Sequence, residues 1–260
     1  DVTPKVRLAL QQVATLPEGR AALHHRDVRR AFNVAFQQPE NSTSLRCYCG
    51  DAQKIALLLY GGSGNDDLLL THEVTVLIHA CLNSIRTVWK DDSADQAAVS
   101  ARILADLCFI NSFSDKAVSL DAVAICLDAV RACQPLRADY WLQDGFTGVL
   151  HALFALGWND TAGGKAARTR FIHLDGMRLL MEVLGDGSAA ARPSVVVYKV
   201  CLMLFSLARA TDSVHAVSAL SAAAKDVIRQ SLSAHAAFLN SRDWWVKQKG
   251  SETLLRVLAG

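Results

Sequence analysis

The chain has 260 residues, 51% hydrophobic and 20% charged, with five prolines and 7% aromatic residues. This composition excludes a disordered or collagen-like polymer, and its wealth of Ala and Leu points to packed helices. Twenty-seven basic residues against 25 acidic leave a net charge of +2, so no nucleic acid or acidic membrane is expected as the main partner.

In chain order, residues 4–16 (beginning PKVRLALQQVAT) read as a long apolar helix. A short stretch, EGRAALHH, leads into RDVRRAFNVAF at 26–36, and a polar loop at 38–44 precedes the longer SLRCYCGDAQKIALLLY. The same order of short, middle and long segments then returns. It runs DDLLLT, HEVTVLIHACL (72–82) and ADQAAVSARILADLCFI; then DKAVS, LDAVAICLDAV (120–130) and DYWLQDGFTGVLHALFALG. ARTRFIH, LDGMRLLMEVL (174–184) and PSVVVYKVCLMLFSLA follow, and after them DSVHAVSAL, a weaker middle copy AAAKDVIRQSL (222–232), and NSRDWWVKQKGSETLLRVLAG, read as a last long helix. Loops near 61–66, 90–94, 134–139, 158–165 and 185–193 carry the Gly, Pro, Asn, Asp and Ser that interrupt helices.

The middle segments have helical periodicity: Leu174, Met177, Leu180, Met181 and Leu184 fall three or four apart on one face. They align on Asp27, Glu73, Asp121, Asp175 and Ala223, at spacings of 46, 48, 54 and 48 residues. The long segments align on Leu59, Leu107, Leu156 and Leu207, 48, 49 and 51 residues apart. Self-similarity at such a period predicts an α-solenoid, in which each unit buries its apolar face on the next. The acidic residue opening each middle helix is expected to cap it and to offset the macrodipole.

Two segments carry a family likeness. FIHLDGMRLLMEVL (171–184) resembles the start of the second helix of an armadillo repeat, and ILADLCFINSFSDKAV (103–118) resembles that family's junction from third helix to next repeat. The likeness spans nearly the whole chain. It implies an all-α, right-handed α-solenoid of about five armadillo-like three-helix repeats. One domain, 1–260, then comprises a leading third helix at 4–16 and repeats at about 17–60, 64–111, 114–157, 165–210 and 212–258. A two-helix HEAT-like arrangement is the nearest competitor, and the third segment per period argues against it. The apolar ends, such as Leu254, Leu255, Val257 and Leu258, lack the polar cap a solenoid terminus needs, so a longer array or a partner at one end is expected.

Catalytic and metal motifs find little support. His72-Glu73 starts like a zinc-protease motif, but position 76 is Val76 where a second histidine is required. His79 and Cys81 share that helix, and His79 is expected to be satisfied within a packed helix. Cys47 and Cys49 lack the second cysteine pair of a zinc site. Gly61-Gly62-Ser63-Gly64 and Gly163-Gly164-Lys165 do not fit a phosphate loop and read as turns after helices. The basic clusters Arg26/Arg29/Arg30 and Lys165/Arg168/Arg170 read as local solvated faces. No enzyme activity, cofactor or metal is expected. Seven cysteines, with Cys81, Cys108, Cys126 and Cys201 inside apolar helical patterns, predict buried thiols in a reducing compartment. No signal peptide opens the chain, which suggests the cytoplasm, with cilium or cytoskeleton as possible settings. The apolar run 195–208 contains Lys199 and falls short of the roughly 20 residues of a membrane span, so it predicts a buried helix.

In armadillo proteins the third helices line a groove that holds extended peptides. The corresponding outward positions here are Lys54, Arg102, Asp106, His151 and Ser206. There is no regular Trp/Asn ladder of the nuclear-import adaptors, so recognition through side chains or of a folded partner is expected. Trp244 and Trp245 are adjacent on a helical segment and point in different directions, so at least one is expected to face away from the core, which makes the C-terminal repeat the preferred contact site. The function this implies is a non-catalytic scaffold or adaptor binding a protein partner, peptide or folded. The alternative is a structural subunit of a large assembly.

Overall fold

A computed structural model of the protein describes residues 72–87, 94–133, 140–185 and 193–259, together with Glu18. The expected helix at 4–16, the repeat at 17–60, Lys54, Cys47, Cys49, the cluster Arg26/Arg29/Arg30 and Gly61 to Gly64 lie outside the described residues. Every element among the described residues is an α-helix, so the described part of the chain is all-α. In order these are α1 (His72–Thr87), α2 (Ala94–Leu107), α3 (Asn111–Ser119), α4 (Ala122–Cys133), α5 (Tyr140–Trp158), α6 (Ala162–His173) and α7 (Gly176–Leu184). They continue as α8 (Ser194–Arg209), α9 (Val214–Ser218), α10 (Ala222–Ala234), α11 (Ala236–Asn240), α12 (Asp243–Lys247) and α13 (Gly250–Ala259).

Helices of like length pack on one another across the period. The long helices stack in sequence, α2 on α5, α5 on α8, and α8 on α13. The short helix α3 packs on α6, while the middle helices pair α1 with α4 and α7 with α10. One core runs through the stack. The aligned Leu107, Leu156 and Leu207 are all buried, with Leu104, Leu153 and Leu204 one turn earlier. The apolar run anticipated as a buried helix is α8, buried from Val200 to Ala208 without interruption. Among the described residues no helix is long and apolar enough to cross a membrane. Cys81, Cys108, Cys126 and Cys201 are buried, and burial pushes the Cys126 and Cys201 thiols up to about 12. They pack as small apolar groups and are kept from ionising.

The ends of the long helices show how the stack is locked. A helix C-terminus leaves carbonyls without intrahelical partners, and burying them needs side-chain donors. Asn159 Nδ2 donates to the Cys108 carbonyl just past α2 at 3.1 Å. At the end of α5, Gly157 O accepts from Arg168 Nη1 and from Ser206 Oγ, both at 2.8 Å, while Asn159 O accepts from the same Arg168 nitrogen at 2.9 Å. Ser213 Oγ serves Leu207 O after α8 at 2.9 Å. Arg168 also grips Asp212, 44 residues on, through Nε and Nη2, each at 3.0 Å. The cluster Lys165/Arg168/Arg170 is therefore not one solvated face. Lys165 and Arg170 are exposed, but Arg168 is a buried strut between periods.

Three local expectations are corrected. Asp175, at the N-cap position of α7, makes no capping hydrogen bond and has φ 62°; Asp121, before α4, has φ 61°. The chain turns sharply from a short helix into a middle one at this residue. A left-handed conformation makes the turn, and Asp tolerates it better than most side chains. The carboxylates are engaged elsewhere, Asp175 by Arg178 and Asp121 by Arg170 of α6 at 3.4 Å. Gly176 follows because the chain passes over a ring: a Cβ there would lie 2.6 Å from Phe171.

Gly163 and Gly164 do not end a helix. They form the first turn of α6, capped by Thr161 Oγ1 accepting from Gly164 N at 3.1 Å. Glycine is required because a Cβ on Gly164 would meet the Asn159 carbonyl oxygen at 1.9 Å. Finally, the last long helix is broken into α11, α12 and α13, with Arg242 extended and Lys249 at φ 50° between the pieces. α13 alone packs on α8, α9 and α10 in the manner of a long helix.

Candidate partner-binding face

Turning Leu104 and Leu107 into the core leaves another face of each long helix for whatever lies outside the stack. On α2 that face carries Arg102, exposed, and Asp106, half-buried, with Phe109 just beyond the helix end. α5 contributes His151, Phe154 and Trp158, and α8 contributes Tyr198, Lys199, Phe205 and Arg209. Intervals of three, four and seven residues put the α2 set, the α5 set and, on α8, Tyr198, Phe205 and Arg209 each on one side of the helix, with Lys199 next to Tyr198. The C-terminal segment adds Arg242 and, on α12, Trp244.

The polar groups here form one electrostatic unit. Burial holds the Asp106 carboxyl at about 6, against the opposing pull of Lys199 and Arg102. Burial also drives His151 down to about 3, helped by the same two cations, so its imidazole is neutral at physiological pH. The Lys199 ammonium, on a helix otherwise apolar around it, is lowered to about 8 by burial, with Asp106 resisting and Arg242 and Arg102 assisting. Lys199 thus acts across α5 on groups of α2. A cation half-withdrawn from water in an apolar helix is costly and needs a reason.

Aromatic rings fill the rest of the face. Phe109 meets His151 at 5.7 Å and Phe154 at 5.8 Å, and Phe154 meets Trp158 at 5.3 Å. Trp244 closes on this row from α12, 5.1 Å from Trp158, 5.8 Å from Phe154 and 6.1 Å from Phe205. Arg209 lies 3.8 Å over Trp158 and is tied to Asp160 at 2.9 Å. At the other end Lys199 and Arg242 both stand over the Tyr198 ring, at 5.6 and 5.8 Å, with Arg242 also 4.2 Å over Phe238.

The sequence-derived residues divide accordingly. Arg102, Asp106 and His151 come together, and Trp244 is 36% exposed beside them. Ser206 is 1% exposed; α8 is enclosed by α5 and α13, and the hydroxyl is spent on Gly157 O. Trp245 is likewise internal, its Nε1 donating to Ser251 Oγ at 3.0 Å. His79 sits on the solvent side of α1, not within its packed side. Among the described residues no group of three or more His, Cys, Asp or Glu gathers as a metal site. Lys199, Tyr198 and Arg242 escaped the repeat alignment, although a lone lysine inside a 14-residue apolar run was the signal that pointed to them.

Neutral His151 has a pH consequence. Its pKa is lower in the fold than its ordinary 6.5, so the stability it supports is present above that value and is lost as pH falls toward 3. Asp106, raised from 3.8, works in the opposite sense: its contribution is full below that value and fades as pH rises through about 6. His151→Gln should therefore flatten the acid-side loss, by at most about 1.4 kcal/mol per pH unit for one proton. Urea melts of both proteins at pH 4, 5, 6 and 7 measure this. Parallel stability profiles would show that His151 is not buried in the neutral form. No family model, curated protein or solved structure matches the chain.

Proposed function

We propose that the protein is a non-catalytic scaffold or adaptor, an armadillo-like α-solenoid that holds a protein partner across the face of α2, α5 and α8. The right-handed three-helix repeat, a cytoplasmic setting and the absence of a cofactor belong to the same reading. The observation that carries it is the convergence of Arg102, Asp106, His151 and Lys199 beside the half-exposed Trp244. Charged and imidazole groups partly withdrawn from water do not help the stack, whose polar junctions are built elsewhere from Arg168, Asn159 and Ser213. Aromatic anchors beside charged groups are the usual make-up of a binding hot spot.

A second reading, a structural subunit of a large assembly, draws on the exposed Val246 and Leu255 at the C-terminal elements. Crosslinking mass spectrometry of the full chain, recovered gently from native extract, separates the two. Crosslinks from Lys199 to one recurrent protein are expected for a scaffold using the face. Crosslinks concentrated at Lys225, Lys247 and Lys249, to several stoichiometric neighbours, would favour the assembly subunit. With no partner at either place, both readings fall.

A further inference from the structure

We propose that Lys199, with Arg242, forms a carboxylate-recognition site for an acidic side chain of a peptide lying across α2, α5 and α8, with an apolar residue of that peptide packed against Trp244. This rests on the face being a protein-binding surface and names the chemistry it selects. Lys199 and Arg242 share the Tyr198 ring, which fixes two cations from different elements over one platform. Among the described residues Lys199 makes no ion pair, and its ammonium faces that ring. The charges acting at Lys199 are the Asp106 carboxylate, Arg242 before α12 and Arg102 of α2. That carboxylate is itself largely desolvated and close to half-protonated near pH 6. Lys199 and Arg242, neither in an ion pair among the described residues, present their charge over one ring to an anionic group.

The neighbouring groups favour a carboxylate on a peptide over a phosphate or a nucleic acid. Asp106, which acts on Lys199, repels a phosphate dianion more than a carboxylate monoanion. The rings of Phe154, Trp158 and Trp244 call for an apolar side chain a few residues away. A balanced overall charge gives no wider basic surface for a nucleic-acid backbone.

The test is selection of a random dodecapeptide phage library on the immobilised full chain, followed by fluorescence-anisotropy titration of the enriched peptide. Enrichment of Asp or Glu together with an aromatic or large aliphatic residue is expected. Affinity should fall about tenfold in Lys199→Met, the scale of a lost charge pair, and rise about threefold in Asp106→Asn, where a competing carboxylate is removed. The gain in Asp106→Asn is not something a misfolded variant can imitate. Enrichment without acidic bias, abolished by Trp244→Ala, would leave the peptide-binding face standing and overturn the carboxylate site. No enrichment at all overturns the site and removes peptide binding from the functional reading as well. Tighter binding of a phosphoserine dodecapeptide or of a dodecamer of uridylate than of the selected peptide also overturns it.

Discussion

Arg168→Met is expected to lower the stability of the fold by about 3–5 kcal/mol, the range for removing one partner of a buried ion pair. The Arg168 side chain is 5% exposed and its partner Asp212 15%. The fork binds both Asp212 oxygens, at 3.0 Å each from Nε and Nη2, while Nη1 serves two carbonyls at the end of α5. Methionine fills much of the volume but leaves the Asp212 carboxylate and the Asn159 carbonyl without the Arg168 donors, and Gly157 O with Ser206 alone. Lysine would be a poor rescue, because one ammonium cannot span a carboxylate on one side and two carbonyls on the other. Removing the acid as well, in Arg168→Met with Asp212→Leu, should cost clearly less than the two single losses combined. Urea denaturation of the three variants measures this coupling. A loss below about 1 kcal/mol for Arg168→Met, the scale of a solvent-screened pair, would mean that the clamp is open in solution.

That clamp marks the limit of what periodicity can reveal. The order of short, middle and long helices was legible, because apolar spacing encodes which side of each helix is buried, and Leu107, Leu156 and Leu207 lie in the core as their spacing requires. Polar residues at period junctions were not. Arg168 stands near Lys165 and Arg170 in a run that looks like any solvated helix face, and its role depends on Asp212, 44 residues away. Asp121 and Asp175 were recognisable as positions that matter, but the same residue type suits a cap and a left-handed turn. Periodicity cannot choose between them. The distance available between α6 and α7 does.

The face shows the same division. Arg102, Asp106 and His151 could be picked by counting from core leucines, because α2 and α5 each keep one side free of the stack. Counting failed at Ser206, since α8 is covered on that side by α5. Lys199, two turns earlier on the same helix, takes the outward place instead. A register taken from one helix carries to the next only where the neighbours are the same, and α8 has α13 against it, with Phe238 and Trp245 on its rings, where α5 has α8.

The two adjacent tryptophans turn this into a second large effect. Trp245→Ala should destabilise the protein by about 3–5 kcal/mol, as expected for a large aromatic residue removed from a packed core. Trp245 is 1% exposed, meets Phe205 at 5.7 Å and Tyr198 at 6.1 Å, and lies so close to α13 that a Cβ on Gly250 would stand 2.5 Å from its ring. Its loss would open a cavity between α8 and α13 and leave Ser251 without its indole donor. Trp244→Ala should cost only about 1 kcal/mol of stability, the scale of a partly exposed aromatic contact. Trp244 leans on Phe154, Trp158 and Phe205 from outside, and no helix covers its other side among the described residues. Partner capture should respond in the reverse order. Crosslinking at Lys199 should drop sharply in Trp244→Ala while its melting curve stays close to the parent. Equal destabilisation by the two substitutions would place Trp244 in the core and remove it from the face. A stable Trp244→Ala protein that still crosslinks fully at Lys199 would show that the aromatic row is packing for the C-terminal segment and not an anchor for a partner.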